Sequence, residues 1–212
     1  MYYIGDGMMK LSRRGGVDPV VVFAVAVVVG IAAVVGYYWW KSRQELERLT
    51  FYPSGDGGKC IVIDTEERKA PGQRIWREKE CIVTETVWDS DLKEYRATIW
   101  ISLEPPLERK IVIQFKVEGE ATKGVVKIVP STFSDYMPVQ WYLFDPDLKD
   151  IKRGIWYTVE LRKDGGSVEP EIPHALSEPQ SHYPDRRPDA LLVRVYFTDK
   201  PVRIYIKILY RD

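Results

Sequence analysis

The chain has 212 residues, in which 31 Lys+Arg offset 31 Asp+Glu, so there is no net basic field of the kind that holds a nucleic acid. At 45% hydrophobic and 29% charged, the composition excludes a disordered chain and one embedded in a membrane throughout. Asn is absent and Gln occurs only five times, while Val, Ile, Tyr, Glu, Lys and Arg are abundant; this composition, purged of thermolabile amides and rich in ion-pair formers, suits a thermophilic source.

A short N-terminal segment, 1–18, carries Lys10, Arg13 and Arg14. From Pro19 to Trp40 there follow 22 residues without a charge, enough for a helix of roughly 30 Å, the thickness of a bilayer hydrocarbon core. Valine is a weak helix former in water, but lipid leaves the backbone no other way to satisfy its N–H and C=O groups. Tyr37, Tyr38, Trp39 and Trp40 place an aromatic belt where the span meets headgroups. Val34 and Gly36 offer a marginal cleavage site, but the apolar run is longer than that of a cleaved secretory signal and bulky aromatics follow at once, so the reading is a retained single-pass anchor. The Arg13-Arg14 pair on one side, and Glu45 and Glu47 diluting the positive charge on the other, set the N-terminus inside and the C-terminal domain outside the cytoplasm. Within the span Ala26, Gly30 and Ala33 share one helical face, and Ala32 and Gly36 repeat the spacing on another. Such faces support self-association or partner binding in lipid, although any span rich in Ala, Val and Gly also presents them by composition.

Residues 41–50 continue in helix-forming side chains and read as a helical stalk, which Pro53, Gly55, Gly57 and Gly58 bring to an end. Residues 51–212 then change to a period of two. Ile111 to Val117, Ile155 to Leu161, Leu191 to Phe197 and Val202 to Ile208 each alternate one apolar and one polar face. Shorter strands are expected at Cys60 to Asp64, Arg74 to Glu78, Cys81 to Trp88, Tyr95 to Leu103, Val125 to Val129 and Val139 to Phe144. Many short strands separated by Gly, Pro and Asp turns predict an all-β fold: an N-terminal transmembrane α-helix followed by an antiparallel β-sandwich, Ig-like or jelly-roll-like. A Pro-rich loop at 164–189, with Gly165, Gly166 and five prolines, is the longest interruption of the pattern.

Cys60 and Cys81 are the only cysteines and each opens an apolar strand. Outside the cytoplasm they most simply form one disulfide, worth roughly 3 kcal/mol in the chain-entropy model; two buried free thiols are the alternative. His174 and His182 lie in the Pro-rich loop, without the spacing of a metal site, and Asp145-Pro146-Asp147 reads as a turn. There is no Gly-x-Ser-x-Gly elbow, P-loop or Gly-x-Gly-x-x-Gly, so no catalytic residue, metal or cofactor is assigned and an enzyme is disfavoured. Of the tryptophans in the β domain, Trp156 falls on the polar phase of its strand and is the candidate surface aromatic for a sugar or a protein partner.

The run Lys10-Leu11-Ser12-Arg13-Arg14-Gly15-Gly16-Val17-Asp18-Pro19-Val20, leading directly into the apolar span, resembles the start of archaeal type IV pilins and related surface proteins over about thirty residues. The resemblance implies cleavage after Gly15 or Gly16, a filament core made of the remaining helix, and a β-sandwich head outside. The glutamate that many pilins carry at the fifth mature position is absent here, where Val20 or Val21 stands, and Asp18 precedes Pro19 in place of a small polar residue. The functional expectation is a membrane-anchored binding or assembly protein, with the lipid bilayer and other proteins as partners. A pilin-like filament subunit, an accessory subunit of a larger complex and a carbohydrate- or protein-binding module are its specific forms; a tethered enzyme is the least favoured.

Overall fold

The computed structural model describes residues 19–65, 67–133, 139–178 and 186–212. Gly15, Gly16 and the basic segment around them lie outside the described residues, as does His182. The chain forms two units, 1–45 and 46–212. In the first, α1 begins at Pro19, a residue whose fixed φ and missing N–H suit the first helical turn. Helix α1 spans Pro19–Arg48. The expected stalk is therefore helical as far as Arg48, and Leu49 alone separates it from the first strand.

The second unit is a sandwich of two mostly antiparallel sheets. The first sheet runs in the order β1 (Thr50–Phe51), β3 (Lys59–Ile63), β7 (Glu94–Glu104), β14 (Ala190–Thr198), β9 (Val125–Ser131), β10 (Leu143–Phe144), β13 (Leu176–Ser177), with β6 (Val87–Asp89) also on β7. The second runs β12 (Gly165–Glu169), β11 (Tyr157–Arg162), β8 (Lys110–Gly119), β15 (Val202–Arg211), β5 (Cys81–Glu85), β4 (Ile75–Glu78), with β2 (Ser54–Gly55) parallel to β15. Successive long strands alternate between the sheets: β7 in the first, β8 in the second, β9 in the first, β11 in the second, β14 and β15 likewise.

The two-residue alternation drives this packing. Ile111, Ile113, Phe115 and Val117 of β8 are fully buried, and they meet Leu191, Val193 and Val195 of β14 and Ile204 and Ile206 of β15 in one core. Phe115 stacks on Tyr157 at 5.3 Å and leans on Phe144 at 4.9 Å. Burying side chains of this size is worth about 1.5–3 kcal/mol each. The hydroxyl of Tyr157 accepts the Lys152 N–H at 2.9 Å, so the ring enters the core without an orphaned polar atom.

Several expected strands are corrected. The stretch Cys81 to Trp88 is not one strand but two in different sheets, β5 and β6, with the crossing at buried Thr86. There the Thr86 N–H donates to the Val202 carbonyl and its hydroxyl accepts the Val202 N–H, both at 2.9 Å. Of Val139 to Phe144 only Leu143–Phe144 is strand, because the Trp141 N–H turns back to the Val139 carbonyl at 2.7 Å. Ile155 lies before β11 and is exposed rather than inward. The Pro-rich stretch is partly sheet: β12 forms a hairpin with β11, and β13 pairs with β10. Gly166 permits that hairpin, since a Cβ there would stand 2.6 Å from the Glu160 carbonyl oxygen.

One side chain closes a gap between strands. β3 covers the edge of β7 from Trp100 to Glu104 and β6 covers it from Glu94 to Arg96, which leaves Thr98 between them. The buried Gln73 amide fills this place: its Oε1 accepts the N–H groups of Thr98 (2.9 Å) and Ala70 (3.0 Å), and its Nε2 donates to the Thr98 carbonyl (3.0 Å). The same Nε2 donates to the Thr84 hydroxyl on β5 at 2.9 Å, so one amide ties the two sheets together.

Candidate functional site

Three surfaces of the molecule bear on function: the apolar helix and the outer face of each sheet. On α1, residues Val20–Arg43 make up 24 residues of a helix long and apolar enough to cross a membrane, with every side chain in that stretch exposed. An unburied apolar surface of this extent is unfavourable in water and favourable in lipid. Near its C-terminal end Tyr37 and Tyr38 meet edge to face at 5.8 Å, and the Arg43 guanidinium sits over the Trp39 ring at 5.2 Å. That pairing holds an aromatic ring and a charge together, as the headgroup region favours. Ala26, Gly30 and Ala33 lie along one face, and space beside Gly30 and Gly36 is open for 4 Å around the position of a Cβ.

On the outer face of the second sheet, register places Arg203 opposite Glu85 and Glu118, and Tyr205 opposite Val83 and Lys116. Trp156 precedes β11 and is 37% exposed, half-covered by the Tyr205 ring, which it meets edge to face at 6.3 Å. The Lys116 ammonium lies 4.1 Å from the Tyr205 ring centre and 5.4 Å from that of Trp156. Lys116 also donates to Glu118 at 2.5 Å, Tyr205 donates to Glu118 at 3.0 Å, and Arg203 is paired with Glu85. Hydrogen bonding to Glu118 raises the Lys116 pKa, and the same bond is the largest cause lowering that of Glu118. This face is thus a closed network in which the protein's own lysine takes the position above Trp156 that a ligand cation would use. Trp88, at 53% exposure, is the most exposed tryptophan of the β domain; the alternation of its stretch gave no sign of this, because its strand changes sheet.

The outer face of the first sheet is organised in bands. Trp100, Leu192 and Val129 are neighbours across β7, β14 and β9, and with Leu143 and Ala190 they form a second apolar cluster. The next outward row is Thr98, Arg194 and Lys127, and the row beyond includes Arg96 and Tyr196. Arg194 and Lys127 are directly opposite each other and neither makes an ion pair among the described residues. Arg96 is held by Asp89 at 2.5 Å, while its Nε is buried without a hydrogen-bond partner. Desolvation is the main cause lowering the Arg194 pKa, with Arg96 adding to it. A groove of about 520 Å³ follows these rows, lined by Arg96, Lys127, Arg194, Leu143, Leu92 and Phe197 among others. At its rim β14 is irregular between Val195 and Thr198, and Phe197 has φ of 58° with its ring 63% exposed.

The expected disulfide is absent, because Cys60 and Cys81 are both free. Cys60 points into the core from β3 of the first sheet, whereas Cys81 stands half-exposed on the outer face of the second, across from Lys207 and Glu78. With a layer of core between them, the two thiols serve different environments. Burial pushes the Cys60 thiol up to about 11 despite the nearby Arg211 guanidinium, and burial also raises that of Cys81. His174 is at an exposed turn with φ of 57°. Among the described residues no group of three or more His, Cys, Asp or Glu side chains is placed to hold a metal ion.

Comparison with protein-family models, with curated proteins and with solved structures finds no match to this chain.

Proposed function

We propose that this chain is a single-pass membrane protein, its N-terminus inside, whose β-sandwich stands outside the cytoplasm and serves in binding or assembly at the cell surface of a thermophilic organism. The observation that carries this reading is the coexistence of an exposed 24-residue apolar helix with a β domain that satisfies its own core. The helix surface is unfavourable in water, and the β domain closes a core of its own. Fractionation of cells producing the full-length chain tests the anchor. Retention in the membrane pellet after alkaline carbonate washing supports it, and release into the supernatant overturns it.

Among specific roles, the pilin-like filament subunit is favoured by the open face around Ala26, Gly30 and Ala33, which allows close helix–helix approach, and by the basic segment ending in Gly15-Gly16. Sequencing the N-terminus of the protein from its native membrane separates this role from that of an uncleaved accessory subunit. A mature start at Gly16 or Val17 supports the archaeal pilin-like reading, and an intact Met1 removes it.

A further inference from the structure

We infer that the groove on the outer face of the first sheet binds an extended peptide segment of a protein partner, one that carries a carboxylate between two bulky apolar side chains. This goes beyond the anchoring role and does not depend on it.

The banding of the face supplies the argument. Its cationic row, Arg194 and Lys127, lies between an apolar row at Leu192 and Val129 and a row bearing Tyr196 and Arg96, the latter neutralised by Asp89. Phe197 and Leu92 add exposed apolar surface to the groove lining. Successive outward rows of a strand are roughly 7 Å apart, which is also the spacing of side chains i, i+2 and i+4 on one face of an extended peptide. A segment of the form apolar-x-Asp/Glu-x-apolar therefore matches the three bands in order. A single-headed amphiphile has its charge at one end and does not.

Three features show that the groove is not optimised for the protein alone. Like charges directly opposite each other on adjacent strands are destabilising, yet Arg194 and Lys127 hold that relation and neither forms an ion pair among the described residues. The buried Nε of Arg96 beside them has no acceptor. Phe197, a bulky residue, is held in the left-handed region at the rim with its ring in solvent, a conformation that costs of order 1–2 kcal/mol. Glu94 also lines the groove, but Arg96 is matched by Asp89, so the surplus charge of the lining is positive. An incoming carboxylate answers Arg194 and Lys127 together.

The test uses the full-length protein in nanodiscs of zwitterionic lipid and two fluorescent peptides, Gly-Leu-Ser-Asp-Ser-Phe-Gly and its counterpart with Asn for Asp, read by anisotropy. The Asp peptide is expected to bind roughly tenfold tighter at low salt, with the preference shrinking as salt screens it. Lys127→Gln/Arg194→Gln should abolish the preference while keeping or raising the melting temperature, and Lys207→Gln on the opposite sheet should leave it unchanged. Phe197→Gly, a residue suited to that backbone, should weaken the Asp peptide several-fold and provides the answer should the double variant not fold. Equal binding of the two peptides, a preference that survives Lys127→Gln/Arg194→Gln, undiminished binding of the Asp peptide to Phe197→Gly, or displacement of the Asp peptide by dodecanoate at lower concentration than by unlabelled peptide would each overturn the proposal.

Discussion

Arg211, next to the last residue of the sequence and fully buried, is clasped by Asp56 from the loop that follows β2. Its Nη2 donates to Asp56 Oδ2 at 3.3 Å and its Nη1 to the Lys59 carbonyl at 2.7 Å, while the Pro105 carbonyl accepts a further bond. Asp56 also accepts the Gly58 N–H at 2.8 Å. The glycines of this loop are required by the clasp. A Cβ on Gly55, whose φ is +124°, would stand 1.7 Å from the Arg211 carbonyl oxygen, and one on Gly58 would stand 2.6 Å from the guanidinium carbon. The last strand is thereby fastened to the chain that enters the sandwich.

Removing the guanidinium leaves a carboxylate and two carbonyls without their partner, so Arg211→Ala should lower the stability of the β domain by about 3–5 kcal/mol. Arg211→Lys, which keeps the charge but not the planar fork, should fall between. Urea unfolding of the full-length protein in nanodiscs, followed by tryptophan fluorescence, gives both values.

Gln73→Leu has nearly the same volume but cannot answer Thr98, Ala70 and Thr84. It should cost about 2–4 kcal/mol, because buried donors lose their acceptors. Hydrogen exchange provides a local check: the Thr98 and Ala70 amides should lose protection more than the amides of β8.

Asp199 joins the β14–β15 turn to the loop before β9 by accepting the N–H groups of Thr122 (2.9 Å) and Lys123 (3.1 Å) and the Thr122 hydroxyl (2.8 Å). The Lys123 N–H, first among these donors, holds its pKa down to about 2 from an ordinary 3.8. A carboxyl with a depressed folded pKa stabilises the fold above its unfolded value and loses that contribution as pH falls from near 4 through about 2. Asp199→Asn should therefore lower the melting temperature at pH 7, with the difference from the parent narrowing toward pH 2. Thermal scans across that interval check the sign.

The two thiols should differ in reactivity. Cys60 is buried and its pKa is pushed up to about 11, whereas Cys81 is half-exposed. Maleimide at mildly alkaline pH should label one thiol per native chain, at Cys81, and two per denatured chain. Mass spectrometry of the tryptic peptides distinguishes the sites.

The long strands were legible in the sequence because Ile111 to Val117, Leu191 to Val195 and Val202 to Ile208 alternate without interruption and each has one buried face. What alternation cannot convey is which sheet a strand joins. Thr86 looks like any residue of a β run until Val202, more than a hundred positions away, fixes it as a crossing point. β12 was hidden by Gly165 and Gly166, which have no side chains to alternate, and Trp100 is buried on the outward phase because Phe133 and Leu143 cover that face. The groove was illegible for a similar reason. Lys127 and Arg194 are ordinary polar-phase residues until the pairing of β9 with β14 sets one opposite the other. The helix needed no partner strand, so its length, its aromatic end and its small-residue face could all be read directly.

The proposed placement of the β domain outside the cytoplasm is tested most directly by the natural cysteine on its surface, Cys81. Intact cells producing the full-length chain are treated with a membrane-impermeant maleimide before lysis. Labelling at Cys81 equal to that obtained after permeabilisation is the predicted result. Labelling that appears only once the membrane is opened would place the sandwich on the other side and contradict the account.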